Sequence, residues 1–271
     1  MNGSMKKANV ELTDEQIQQY QEQGFLVLPQ LSTPEELAQI RAIYDRLFSQ
    51  QAGRDAGLYL DLGGVDDEGQ ETEQAIPQIL DMIALAPELE HTLLRANSLV
   101  IGKQLYGDGG QIKGDMAILK PAKTAPETPW HQDEAYWDVT KKHRACSIWV
   151  PLLDVTMESG CMSYIPGSHK LGIFPHQRMN NDPRIHALEI VENCTDLSTA
   201  VACPVKAGEA IVHDQRMLHY AGPNVSDLPR RAYISGYRFS PTPRKAGEER
   251  TFAWADTEQS RFTETIDNLE K

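Results

Sequence analysis

Pro129-Trp-His-Gln-Asp-Glu-Ala-Tyr-Trp137 contains the only His-x-Asp triplet in the chain. On a strand, side chains alternate with period two, so His131 and Asp133 point to the same side. Two such neighbours plus one distant histidine make the 2-His-1-carboxylate facial triad. That triad covers one face of an octahedral Fe(II) and leaves three positions open. The reading requires a fold that carries a remote strand back beside this one.

The sequence around the triplet predicts such a fold. Ala117-Ile-Leu119, Cys146-Ser-Ile-Trp-Val150, Met162-Ser-Tyr-Ile165, Ala200-Val-Ala202, Ala210-Ile-Val212 and Ala232-Tyr-Ile-Ser-Gly-Tyr237 are short apolar or alternating runs. Glycine, proline and polar clusters separate them, the pattern of an antiparallel sandwich or barrel. The first hundred residues read helical. Thr13-Asp-Glu-Gln16 is a capping box, and its helix should end at Gly24. Phe25-Leu-Val-Leu28 reads as a short buried strand. Thr33-Pro-Glu-Glu36 opens a second helix, with Leu37, Ile40, Tyr44, Leu47 and Phe48 along one stripe. A third helical stretch runs from about Pro87 to Tyr106 and breaks at Gly107-Asp-Gly-Gly110. The expected organisation is one domain over 5–271, with a mostly helical flank (5–110), a β core (111–240) and a charged C-terminal tail (241–271).

With 271 residues the chain can bury a substantial single core. Its formal net charge of −13, from 39 acidic and 26 basic residues, offers no basic stripe for nucleic acid. The acidic run Asp66-Asp-Glu-Gly-Gln-Glu-Thr-Glu73 reads as a solvated loop. Cys146, Cys161, Cys194 and Cys203 contain no Cys-x-x-Cys pair, so they read as free thiols in a reducing compartment. No apolar stretch reaches the ~20 residues of a membrane span. With no apolar signal core at the N-terminus, the expected location is cytoplasmic.

Eight histidines compete for the distant ligand position. His91 lies in a helical run, and His143, His169, His176 and His186 sit in polar or turn segments. His213 and His219 remain, either of which could return to the metal. His219 is favoured because Gly222-Pro-Asn224 follows it and Arg230-Arg231 then enters a strand. If 2-oxoglutarate is the co-substrate, its far carboxylate needs a cation, and the planar arginine fork binds carboxylate bidentately. Neighbours on a strand face opposite ways, so only one of Arg230 and Arg231 can serve.

Several runs together resemble the phytanoyl-CoA dioxygenase family of Fe(II)/2-oxoglutarate oxygenases. They are Leu12-Thr-Asp-Glu-Gln-Ile17, Gly24-Phe-Leu-Val-Leu-Pro29, Leu119-Lys-Pro121 with Pro129-Trp-His-Gln-Asp133, Glu158-Ser-Gly-Cys-Met-Ser-Tyr-Ile-Pro-Gly-Ser-His-Lys170, and His219-Tyr-Ala-Gly-Pro-Asn224 with Pro229-Arg-Arg-Ala232. The resemblance implies a mainly β fold: a double-stranded β-helix (jelly-roll, cupin-like) core with flanking N-terminal helices. It implies His131, Asp133 and His219 as metal ligands, Arg230 as the anchor of 2-oxoglutarate, and Fe(II), 2-oxoglutarate and O₂ as the reacting set. It implies oxidation of an unactivated C–H bond with release of succinate and CO₂, most simply hydroxylation, with desaturation, cyclisation and epoxidation left open. Related halogenases carry a small residue in place of the carboxylate, which Asp133 retains. His213 matches no ligand and reads as a structural or supporting histidine.

Trp149 reads equally as a core residue and as a wall of the co-substrate pocket. Lys120 reads equally as an exposed lysine and as a partner for an anionic co-substrate or substrate. Tyr136 and Trp137 follow Asp133 closely enough to touch a small-molecule substrate, and equally to pack beneath their own loop. Loops at Tyr59 to Glu73, Trp137 to His143 and Gly172 to Cys194 should rim the barrel mouth. Two readings compete with the oxygenase: a non-redox cupin-like metal enzyme (isomerase or hydrolase), and a catalytically silent binding module. Asp133→Ala is expected to abolish 2-oxoglutarate turnover in the absence of substrate, measured as succinate release; an unchanged rate would contradict the ligand assignment.

Overall fold

The computed structural model describes residues 6–63, 75–123, 126–182 and 185–245. The acidic run Asp66–Glu73, Arg184 and residues 246–271 of the expected tail lie outside them. In chain order the first elements are α1 (Asp14–Gln23), β1 (Phe25–Leu28), α2 (Pro34–Ser49), β2 (Tyr59–Asp61), β3 (Pro77–Leu80), α3 (Met82–Leu85) and α4 (Leu93–Tyr106). There follow β4 (Gln111–Lys120), β5 (Thr128–His131), β6 (Lys141–Lys142), β7 (Ala145–Pro151), β8 (Met162–Tyr164), β9 (His176–Arg178) and β10 (Leu188–Ile190). The last are β11 (Val201–Cys203), β12 (Ala210–Asp214), β13 (His219–Ala221), β14 (Arg230–Arg238) and β15 (Thr242–Pro243).

Local chemistry sets the helix ends. The Thr13 hydroxyl accepts the Gln16 N–H while the Gln16 side chain reaches back to the Thr13 N–H, a complete capping box. Gly24 ends α1 at φ 84°, a left-handed conformation that glycine adopts without a Cβ clash. Thr33 caps α2 through the Glu36 N–H, with Pro34 in the first turn. The third stretch divides: a 3₁₀ turn covers Pro87–His91, and Thr92 caps α4.

The strands form the two facing sheets of a jelly roll. The larger runs β1-β12-β7-β14-β4-β3-β2 and the smaller β11-β8-β13-β5, every pairing antiparallel. Within the mostly helical flank, the expected strand β1 is joined by β2 and β3, and all three extend the large sheet. Pro77-Gln-Ile-Leu80 gives little strand signal by itself; pairing of Gln78 to Leu80 against Ile118 to Met116 makes it one.

Period-two alternation on the large sheet separates two cores. Ala117, Ile148, Val150, Val212 and Tyr233 face outward onto Leu37, Ile40, Tyr44, Leu47, Leu94 and Ile101 of α2 and α4. Trp149, Ile211, Ala232 and Ile234 face inward onto Met162, Tyr164 and Ala221 of the small sheet. Of this inward set, Trp149, Met162 and Ile234 line the cavity of the site.

Tyr237 fills the seam between α4 and the sheet. Its hydroxyl donates to the Gly107 carbonyl at 2.6 Å and accepts the Gly110 N–H at 3.1 Å. A Cβ on Gly102 would sit 2.1 Å from the Tyr237 ring. Helix propensity alone favours Gly→Ala in a helix interior by ~1 kcal/mol. Here overpacking is expected to win, with Gly102→Ala destabilising the protein by ~1–3 kcal/mol. Urea denaturation checks this; equal or greater stability would contradict the packing account.

Candidate metal and co-substrate site

His131 ends β5, and Gln132 continues in extended conformation before a 3₁₀ turn begins at Asp133. His131 and Asp133 thus share a side, while the Gln132 amide turns the other way. It donates to the carbonyls of Gly172 and Arg216 and accepts the Phe174 N–H. β13 pairs with β5 so that His219 lies directly opposite His131, their ring centroids 4.2 Å apart. Ligand atoms of His131, Asp133 and His219 all fall within 4.8 Å of one another.

One device aims both imidazoles. His131 Nδ1 bonds the Pro129 carbonyl at 2.7 Å, and His219 Nδ1 bonds the Met217 carbonyl at 2.8 Å. A carbonyl only accepts, so each Nδ1 carries the proton and each Nε2 lone pair points to the common centre. Burial lowers both imidazole pKa values, that of His219 well below the usual range, which keeps the ligating form at neutral pH. Burial would raise the Asp133 carboxyl, but hydrogen bonding from His213 lowers it and keeps it ionised. Two neutral imidazoles and one carboxylate within reach of one point fit a divalent iron.

The next residue anchors this turn. Glu134 is fully buried; its carboxylate accepts from Arg216 Nε at 2.6 Å, Gln215 Nε2 at 2.8 Å and Arg244 Nη2 at 3.1 Å. Nothing in sequence distinguishes Glu134 from a solvated glutamate, and sequence reading missed it. Ser147, Gln78 and Arg238 were missed as well.

Arg230 and Arg231 part as strand alternation requires. Arg230 is buried on the inward face of β14, whereas Arg231 pairs with Asp45 at 2.6 Å near the surface. Arg230 Nη1 donates to the Gly160 carbonyl, its guanidinium lies 5.5 Å from the Trp149 ring, and its Nε is buried with no hydrogen-bond partner. Burial lowers its pKa to about 10, so it stays charged at neutral pH. A buried cation with an unused N–H fits the far carboxylate of a dicarboxylic co-substrate.

Lys120 does not join it there. Its Nζ donates to the carbonyls of Pro126, Ala221 and Gly222 at 3.0, 3.0 and 2.6 Å, so no N–H is left for a co-substrate. Burial, and then the Arg230 charge, lower the ammonium to about 6, yet three carbonyl acceptors each require one of its protons. Lys120 clasps three backbone segments. His176, expected in a polar loop, is buried, and its Nε2 accepts the Gln132 N–H.

A cavity of about 140 Å³ opens beside the three ligand atoms. It exceeds the ~30 Å³ share of a single water several-fold. Trp149 and Met162 line it, as do Tyr136 and Trp137, the two expected substrate contacts. The Tyr136 hydroxyl accepts the Leu188 N–H, and Trp137 lies under the Arg238 guanidinium at 4.7 Å. Gln78 also faces the cavity, its Oε1 buried with no hydrogen-bond partner.

Residues 20–232 match the family described as Phytanoyl-CoA dioxygenase (PhyH). Phytanoyl-CoA dioxygenase domain-containing protein 1 of Danio rerio is 26% identical over 259 residues, spanning 82% of this chain and 88% of that relative. An ectoine dioxygenase of Bordetella bronchiseptica is 25% identical over 238 residues, spanning 81% of this chain and 73% of its own. The crystal structure of EvdO2 from Micromonospora carbonacea var. aurantiaca, complexed with 2-oxoglutarate, is similar at TM-score 0.77. It shares 33% identity, over 93% of this chain and 100% of that one.

The depressed imidazoles link stability to pH. Unfolded histidine titrates near ~6.5, above the folded values, so the unfolded chain binds more protons as pH falls. The stability they confer is full above that pH and is lost as pH falls toward the folded values. The Tm of metal-free protein is expected to drop between about pH 7 and pH 5.5; a flat or rising Tm would contradict this.

Proposed function

Because the chain belongs to the phytanoyl-CoA dioxygenase family, we propose that His131, Asp133 and His219 hold its iron and that Arg230 anchors 2-oxoglutarate. The protein is an Fe(II)- and 2-oxoglutarate-dependent dioxygenase, and its fold is the jelly roll of that family. The observation that carries the residue assignment is the convergence of two Nε2 lone pairs and one carboxylate, supported by a buried arginine on the inward face of β14 whose Nε is unpartnered among the described residues.

Each side chain has a distinct task. His131 and His219 present Nε2 because their Nδ1 protons are committed to carbonyls. Asp133 supplies the negative charge that favours Fe(II) over a proton in the same place. Arg230 would receive the distal carboxylate of 2-oxoglutarate, and Trp149, which lines the cavity beside the ligand atoms, lies 5.5 Å from that guanidinium. When bound, iron with 2-oxoglutarate and O₂ supplies the oxidising power: substrate C–H becomes C–OH while 2-oxoglutarate becomes succinate and CO₂. The apolar lining, including Leu62, Leu80, Met116 and Ala187, excludes water and holds the target C–H near the open coordination face.

The substrate in this reading is a small molecule with an apolar body and one hydrogen-bond donor. The unpartnered Gln78 Oε1 supports the donor, since a buried acceptor without a partner costs free energy that a ligand N–H or O–H relieves. The four free thiols support the cytoplasmic location. No described helix is long and apolar enough to cross a membrane.

Arg230→Leu is expected to raise KM for 2-oxoglutarate at least ~30-fold, from the ~2 kcal/mol or more of a buried charge-paired contact, with Arg231→Ala within about twofold of native. Steady-state succinate release at saturating Fe(II) measures both. The assignment fails if Arg231→Ala carries the loss and Arg230→Leu does not.

A further inference from the structure

The two oxygens of Asp133 have different surroundings. Oδ1 lies 3.6 Å from His219 Nε2, toward the ligand centre. Oδ2 is taken up by the protein: Ser147 Oγ donates to it at 2.7 Å, and His213 Nε2 donates at 3.3 Å. An ionised carboxylate only accepts, so His213 carries its proton on Nε2 and has no lone pair there for a metal. The other ring nitrogen agrees, because His213 Nδ1 lies 3.2 Å from the Tyr164 hydroxyl, which donates to it. Both ring nitrogens are thus used, in one consistent tautomer.

Strand register builds this grip. His213 on β12 pairs directly with Ser147 on β7, so both side chains rise from the same inward face beneath Asp133. On its other flank His213 pairs with Phe25 of β1, whose ring stacks on Tyr164 at 4.7 Å and 10°. Two strands therefore hold one carboxylate oxygen directly, and β1 and β8 back His213. An unanchored carboxylate can turn both oxygens to a metal and consume an open position. With Oδ2 occupied, Asp133 offers only Oδ1.

We infer that His213 is a positioning residue for the metal centre: together with Ser147 it holds the outer oxygen of Asp133, so that Oδ1 is the oxygen turned toward the ligand centre. The inference rests on the metal reading above. It concerns a hydrogen bond to a ligand and assigns His213 no contact with the ion or with substrate.

The test is a Co(II) titration of the full-length protein, followed by visible absorption, in native, His213→Leu and His213→Gln forms. Loss of an outer hydrogen bond to a metal ligand typically costs about 10–100-fold in metal affinity, and His213→Leu is expected to lie in that range. His213→Gln keeps an N–H for Oδ2 and is expected to recover most of the loss, which a role in packing alone would not produce. An affinity for His213→Leu within about threefold of native, or a glutamine variant as weak as leucine, would overturn the inference. Should His213→Leu fail to fold, Ser147→Ala removes the partner donor with little change in packing. A loss of about tenfold is then expected, and native affinity would overturn the inference. A native protein that takes up no Co(II) would sink the metal reading and this inference with it; native uptake unchanged in the variants would sink this inference alone.

Discussion

The antiparallel pairing of β13 with β5 is the contact on which the site depends. It sets His219 opposite His131 and makes a single centre of residues remote in the chain. Everything else about the centre is adjustment of that pair. The carbonyls of Pro129 and Met217 choose which ring nitrogen faces inward. A slip of one residue in this pairing would turn His219 to the opposite face. The apolar inner core around Trp149, Met162, Tyr164 and Ile234 resists such a slip, because it would bury polar side chains and expose apolar ones.

The same alternation places the charges. Arg230 and Lys120 are register partners across β14 and β4, so two buried cations share one face. Like charges directly opposite destabilise a sheet. Lys120 is offset by three carbonyl oxygens, while Arg230 has one carbonyl and an unpartnered Nε. The fold thus leaves Arg230 as the less fully paired of the two buried cations.

Much of this was legible in the sequence. Thr13, Gln16, Gly24 and Thr33 announced their helix ends through capping chemistry that acts over three or four residues. His131 and Asp133 announced a shared face through strand period, and the opposed burial of Arg230 and Arg231 followed from the same rule. What stayed hidden depends on contacts between distant segments. Lys120 looks in sequence like any lysine before a proline; only the fold surrounds it with the carbonyls of Pro126, Ala221 and Gly222. Pro77-Gln-Ile-Leu80 becomes a strand because β4 is beside it. Glu134 becomes a buried anchor because Arg216 and Arg244 arrive from later in the chain. Charged residues and short strands take their roles from tertiary partners, which local pattern does not encode.

If His131, Asp133, His219 and Arg230 form one iron and 2-oxoglutarate site, it should have an optical signature of its own. The most direct measurement is the visible absorption of the protein on anaerobic addition of Fe(II) and 2-oxoglutarate, compared with His219→Ala. Native protein should develop a broad weak band that saturates at one equivalent of iron, while His219→Ala, folded by circular dichroism, should develop none. A native protein without the band, or a variant that retains it, would contradict the account.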